Sequence, residues 1–238
     1  MEEPAPAGSG RSWYGSHPSQ FVDFWPARAN HSPLAINIHG GFWRSRFDLS
    51  HAGHLCAALV GAGFAVINIE YRRVGEDGGG WPGTVEDVRA AVAFARDRAL
   101  FCGGRGEHAI VLGHSAGGHL ALCMAAEMAD LRGVAALGPV ANPRRALELG
   151  LGAGAAAEFF GGSPEEFPER YAMGRPLCPT VLIHGTADEV VPVEISRGYA
   201  GARVIEIAGA DHFDVIDPQS PLFSCVLTEL RQLSRGGD

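Results

Sequence analysis

Gly113-His114-Ser115-Ala116-Gly117-Gly118 is the stretch whose reading decides the fold. Ahead of it runs Ala109-Ile110-Val111-Leu112, short, apolar and partly β-branched, which predicts a buried strand. Behind it runs Leu120-Ala121-Leu122-Cys123-Met124-Ala125-Ala126, rich in helix formers and apolar on every face, which predicts a buried helix. A serine with glycine two residues before and two after, on a strand-to-helix turn, forms a nucleophile elbow. The turn is so sharp that a Cβ at either flank would clash, while the serine is held strained with its Oγ exposed. The amide of Ala116 opens the helix and can donate to an oxyanion. A chain with 33 glycines in 238 residues also meets this pattern by chance, so the strand–turn–helix context and the residues around it carry the argument.

A length of 238 residues suits one large domain with a good core. Hydrophobic residues at 46% and charged residues at 19% indicate a soluble globular chain. The net charge of −8, with no basic cluster, argues against a nucleic-acid partner. The five cysteines (56, 102, 123, 178 and 225) form no CxxC pair, which fits unpaired thiols in a reducing compartment better than a disulfide frame or a zinc site. The N-terminus lacks a hydrophobic run, so no secretory signal is expected, and no stretch approaches the roughly 18 apolar residues of a membrane span. These features predict a cytoplasmic protein with no membrane partner, a small-molecule substrate and, as an option, a homodimer.

Outward from the elbow the chain alternates strand and helix. Residues 1–20 are rich in Pro, Gly and Ser and read as a loose arm or extended lead-in, ahead of a single domain over 21–238. Strands are expected at 21–25 (an edge), 33–39, 64–71, 134–137, 180–184 and 204–207. Helices are expected at 50–59, from a Thr84/Asp87 capping box onward, at 194–200, and from Ser220-Pro221 to the end. Residues 139–177 break the rhythm and read as a small cap over the site. Within it, Ser163-Pro164-Glu165-Glu166 carries the signature of a helix start. The pattern predicts an α/β fold, a mostly parallel sheet covered by helices on both faces, with ligands bound beyond the carboxyl ends of the strands.

The candidate chemical residues fall at those ends. A serine nucleophile needs a base, and the base needs an orienting carboxylate. His212, just past the last strand, is the candidate base. Asp188, the first carboxylate after the strand ending at His184, is the candidate acid, with Glu189 the adjacent alternative and Asp211 and Asp214 bracketing the histidine. His39-Gly40-Gly41-Phe42-Trp43 ends another strand, and its glycines let main-chain N–H groups near Gly41 and Phe42 join that of Ala116 as an oxyanion hole. His114 and His119 flank the elbow and read as locally packed or hydrogen-bonded; His39 and His184 read as loop braces. His51 and His54 have HxxH spacing with no third ligand nearby, so no metal or cofactor is expected. Trp43, His114, Trp81, Phe159, Phe160 and Phe213 are the candidate lining of a substrate pocket.

With these residues in view, the chain resembles the α/β-hydrolases over about residues 20–235, in the chain order Ser115, Asp188, His212. More narrowly it is similar to the esterase and kynurenine-formamidase-like branch. That branch's HGGxW signature stands as His39-Gly40-Gly41-Phe42-Trp43, and its GxSAGGH elbow as Gly113-His114-Ser115-Ala116-Gly117-Gly118-His119. The tracts Glu70-Tyr71-Arg72, Trp81-Pro82-Gly83 and His184-Gly185-Thr186-Ala187-Asp188 are similar to it as well. The resemblance implies a metal-free Ser–His–Asp hydrolase of short-acyl esters or N-formyl aryl amides. The rivals are a non-catalytic ligand binder and an acyltransferase on the same fold.

Overall fold

The computed structural model describes residues 4–236. Eight strands form one sheet: β1 (Gly10–Trp13), β2 (Phe21–Trp25), β3 (Ser32–Ile38), β4 (Ala65–Ile69), β5 (Gly104–His114), β6 (Gly133–Leu137), β7 (Thr180–Gly185) and β8 (Arg203–Ile207). Their spatial order is β1-β2-β4-β3-β5-β6-β7-β8. β1 and β2 run antiparallel at one end, and all the pairings from β4 to β8 are parallel. The chain steps over β3 in passing from β4 to β5, so the order reverses around β3 and β5. Their carboxyl ends, side by side, form the crevice where such sheets bind ligands.

Seven helices accompany the strands: α1 (Gly53–Gly61), α2 (Gly83–Asp97), α3 (Ala116–Glu127), α4 (Pro143–Glu148), α5 (Ala155–Phe160), α6 (Glu194–Arg197) and α7 (Phe223–Arg235). The parallel strands are apolar at successive positions, yet the pleat deals them to two separate cores. Leu34, Ile36, Ile38, Ile67, Val111, Val134 and Leu182 pack with α2, α3 and the cap. Ala35, Val66, Ile110, Leu112, Ala135, Val181 and Ile183 pack with α1 and α7. Period-2 alternation with both faces buried is the mark of a sheet sandwiched between helix layers.

The expected α/β layout holds, with local corrections. The lead-in at 1–20, whose first three residues lie outside the described ones as do 237 and 238, contains β1. Strand 21–25 is therefore not the edge; it is covered by β1. Tyr14 Oη also donates to Glu70 O at 2.7 Å, tying the lead-in to the sheet. The Thr84/Asp87 pair does not cap α2. Thr84 Oγ1 accepts from Gly80 N at 3.0 Å, and Asp87 instead takes the Arg72 fork at 2.7 and 2.8 Å. Ser163 and Glu166 do make the reciprocal bonds of a capping box, at 2.8 and 3.4 Å, but close only a turn. The helix expected over 194–200 is the short α6. The cap segment carries α4, a 3-10 turn at Leu151–Ala153, and α5. Among the described residues no helix is long and apolar enough to cross a membrane.

Candidate active site

Ser115 is the single residue between β5 and α3, with φ 57° and ψ −118°. That is a conformation a non-glycine side chain adopts only where its surroundings compel it. Its neighbours are fixed by contact. A Cβ at Gly113 would lie 2.2 Å from Gly117 O, one at Gly117 2.2 Å from Ile38 O, and one at Gly118 2.7 Å from Pro139 Cβ. The serine's main chain is anchored on both sides, its N–H to Leu137 O at 2.9 Å and its carbonyl to the N–H groups of His119 and Val140 at 3.1 and 3.2 Å.

His212 and Asp188 meet as expected: Nδ1 of the ring is 2.7 Å from Oδ2 of the carboxylate. The carboxylate can only accept, so Nδ1 carries the proton. Among the described residues Nε2 has no hydrogen-bond partner. Its lone pair is therefore free to accept a proton. Asp188 is held on every side. Its Oδ1 accepts from Val190 N and Val191 N at 2.9 and 2.8 Å. Its Oδ2 also lies 3.2 Å from Nε2 of His184, a fully buried ring that donates to Val191 O and accepts from Ser196 Oγ, both at 2.7 Å. Burial alone would raise the Asp188 pKa. The hydrogen bonds from His184 and His212, the His212 charge and the Val191 N–H outweigh it and hold the carboxyl below its ordinary value.

His114 donates from Nε2 to His212 O at 2.9 Å, so the residue before the nucleophile holds the loop that carries the base. Burial, then the neighbouring His212, pushes its pKa down to about 3, which keeps it neutral. Glu189 is exposed, and Asp211 and Asp214 bind main-chain N–H groups of their own turn. Neither faces the ring.

The candidate oxyanion donors come together as well. Gly41, Phe42 and Trp43 have φ of 109°, 54° and 57°, three left-handed residues in a row. The N–H groups of Gly41, Phe42 and Ala116 have no partner among the described residues, the last because it sits in the first turn of α3. The loop presses on the elbow: a Cβ at Gly40 would be 2.8 Å from His114 O and 3.2 Å from Ser115 Cβ. Sequence reasoning gave Glu70 no role, yet its Oε1 is 2.8 Å from His39 Nε2 while Oε2 accepts from Leu49 N at 3.0 Å. Tyr71 stacks on the His39 ring at 4.5 Å and donates to His39 O at 2.7 Å. The signal was available: a glutamate at the end of a buried strand must be paired.

The pocket lining differs from expectation. Trp43, Phe159 and Phe160 are at most 2% exposed and pack on one another and on His119, with Trp43 and Phe159 stacked at 4.8 Å. They are core beneath the site because the apolar face of α5 has to be covered. His114 is likewise buried behind His212, and Trp81 tilts onto Phe160 at 5.8 Å. Phe213 is 58% exposed with its ring 5.2 Å from that of His212, and Phe42 is half-buried; these two remain at the rim.

A family profile described as BD-FAE matches residues 24–136, a span that includes the Gly41 loop and the elbow. The esterase LipC of Mycobacterium tuberculosis is 26% identical over 257 residues, covering 87% of this chain and 60% of the relative. The chain therefore spans about 60% of the length of that curated relative. Two solved structures superpose on nearly all of it. A truncated carbohydrate esterase from gut microbiota does so with TM-score 0.78 and 21% identity, over 98% of this chain and 99% of that one. Esterase B of Lactobacillus rhamnosis, inhibited by a tributyrin phosphonate, gives 0.78 and 22%, over 97% and 88%. The chain has the α/β-hydrolase fold, as its motifs implied.

Proposed function

We propose that this α/β-hydrolase is a serine carboxylesterase of short-acyl esters. Ser115 Oγ attacks the carbonyl carbon while its proton passes to Nε2 of His212. Asp188 fixes the ring's tautomer and stabilises the imidazolium. The carbonyl electrons move onto oxygen, which is met by the N–H groups of Gly41, Phe42 and Ala116. The imidazolium then protonates the departing alkoxide, leaving an acyl-Ser115. Water, deprotonated by His212, releases the acid and restores the serine.

The observation that carries this reading is the protonated Nδ1 of His212 on Asp188 with Nε2 unpartnered among the described residues, together with Ser115 in the strained elbow conformation and the ring of its neighbour His114 4.5 Å from that of His212. The LipC relative's name as an esterase supports ester hydrolysis, and the tributyrin phosphonate named with esterase B agrees with a short acyl group. The exposed Phe213 beside His212 favours a second substrate class, N-formyl aryl amides, whose flat leaving group would stack on that ring.

Turnover of p-nitrophenyl acetate and butyrate, with N-formylkynurenine alongside, tests it. Ser115→Ala is expected to stay folded, lose about 10⁴-fold or more in kcat, and take no fluorophosphonate label. Labelling at another serine, or turnover retained in the variant, defeats the assignment.

A further inference from the structure

Three consecutive residues of the oxyanion loop each grip the cap. Phe42 lies against Gly152, where a Cβ would come within 2.4 Å of the ring. Trp43 stacks on Phe159 of α5, ring centroids 4.8 Å apart and planes 22° from parallel. Arg44 makes a two-pronged pair with Glu158 of the same helix, Nε to Oε2 at 2.7 Å and Nη2 to Oε1 at 2.8 Å.

The first two of these residues are non-glycine with positive φ, a conformation that strains the backbone of an L-residue. Such residues persist only where contacts on several sides over-determine them. On the sheet side the loop is held by buried groups, His39, Glu70 and Tyr71. On the cap side the charged grip is partly in water, with the Arg44 and Glu158 side chains 19% and 47% exposed. An ion pair that exposed adds little to global stability. A planar fork nonetheless fixes direction as well as distance, and direction is what an oxyanion donor requires.

We infer that Glu158 is a positioning residue for hydrolysis: through the Arg44 fork it holds the Gly41–Phe42 turn so that its N–H groups aim at the carbonyl oxygen. The inference rests on the serine-esterase reading above. The cap is then part of the oxyanion hole's support, and a substrate that displaced α5 would loosen the donors.

The test compares Glu158→Gln, which keeps the shape and loses the charge, with Glu127→Gln, which removes the charge from the exposed Arg89–Glu127 fork between α2 and α3. The readouts on p-nitrophenyl butyrate are kcat, KM, Tm and the inhibition constant of a trifluoromethyl ketone that places an oxyanion in the hole. Glu158→Gln is expected to lower kcat about tenfold, leave KM within about twofold, and weaken the ketone in step with kcat. Glu127→Gln should leave all of these unchanged. The double exchange Arg44→Glu with Glu158→Arg should recover part of the loss. Raising salt should lower kcat of the native enzyme toward that of Glu158→Gln, since an exposed pair is screened.

Should Glu158→Gln not fold, Arg44→Lys, which keeps the charge but not the fork, carries the same readouts. An unchanged kcat and ketone affinity in a variant whose pair is broken, while Ser115→Ala is inactive, overturns this inference and leaves the esterase reading standing. A fall in Tm with kcat and KM moving together identifies a merely structural pair and overturns it too. Turnover retained by Ser115→Ala removes the underlying reading, and this one with it.

Discussion

Asp188 and His212 hang from the ends of two parallel strands, β7 and β8, whereas Gly41 and Phe42 sit in a loop whose far side is the cap. On the acid–base side every side-chain polar atom of Asp188, His184 and His212 except Nε2 of His212 is paired inside the protein. Asp188 accepts from two main-chain N–H groups and two histidines, and His184, which braces it, is fully buried and bonded through both ring nitrogens. On the oxyanion side three residues carry left-handed backbone, the N–H groups of Gly41 and Phe42 are unpaired among the described residues, and the restraint toward the cap comes from an aromatic stack and a half-exposed ion pair. The acid–base half is therefore preorganised by buried hydrogen bonds, which low polarity strengthens. The oxyanion half is preorganised by packing against a segment that the sheet does not hold.

The sharpest way to break this comparison is at its rigid end. Asp188→Asn keeps the size of the side chain but lets it donate, which favours the wrong tautomer of His212. The expected loss in kcat is on the order of 10⁴-fold, with a well-folded protein. Because Asp211 and Asp214 are engaged in their own turn, Asp214→Asn should leave kcat within about threefold. Steady-state kinetics on an activated ester decide between them. A large loss in Asp214→Asn with a mild one in Asp188→Asn would show that the carboxylate seen on His212 is not the one that works.

The flexible end is probed with a pair of glycines. Gly150 and Gly152 both have positive φ, 69° and 58°, so alanine strains the backbone equally at either position, by about 1–2 kcal/mol. A Cβ at Gly150 meets open space, whereas one at Gly152 meets the Phe42 ring at 2.4 Å. Both variants should lower Tm, Gly152→Ala the more because its Cβ must also displace the Phe42 ring. Only Gly152→Ala should also lower kcat, by about tenfold, because it pushes the residue that carries an oxyanion N–H. Equal kcat in the two variants would show that the cap does not bear on the loop.

The same contrast explains what could be read from the chain beforehand. The elbow, the strands and the acid and base were legible because each is local: glycines at fixed offsets from Ser115, an apolar run, then a chemical residue at its end. The aromatic residues were legible as types but not in place. Phe159 and Phe160 look like a pocket wall in sequence, yet they close the underside of α5 against Trp43 and His119. Whether a ring faces solvent depends on which side of a short helix the cap buries, and a six-residue helix has too little periodicity to tell. The Arg44–Glu158 fork spans 114 residues of sequence, and the Glu70–His39 brace spans 31. Pairs that distant leave no spacing signal. Ser163 and Glu166 show the converse, a correct local motif that tertiary packing never extends into a helix.

A further effect concerns pH and belongs to the buried histidines that support the elbow. His119 lies among Trp43, Phe159 and Phe160, its Nδ1 without a hydrogen-bond partner, and burial pushes its pKa down to about 3. His114 is pushed to about 3 as well, by burial first and then by His212. In the unfolded chain both would titrate near the ordinary value of about 6.5. Between those values the unfolded chain holds more protons than the folded one, so stability rises with pH across the window and falls as the medium is acidified from about 6.5 toward 3. Each histidine contributes a slope of up to about 1.4 kcal/mol per pH unit once its unfolded form is protonated. Asp188 adds to the acid loss only lower down: its folded pKa is depressed, so its contribution is present above about 3.9 and lost as pH falls below that. Urea denaturation of the native chain from pH 7 to about 5.5 should therefore show falling stability above the range in which carboxylates titrate. His119→Leu, which leaves no buried base among the rings, should show a shallower fall over the same range. The slope is the informative quantity: equal slopes in the two proteins would mean that His119 is not held neutral by its aromatic surroundings.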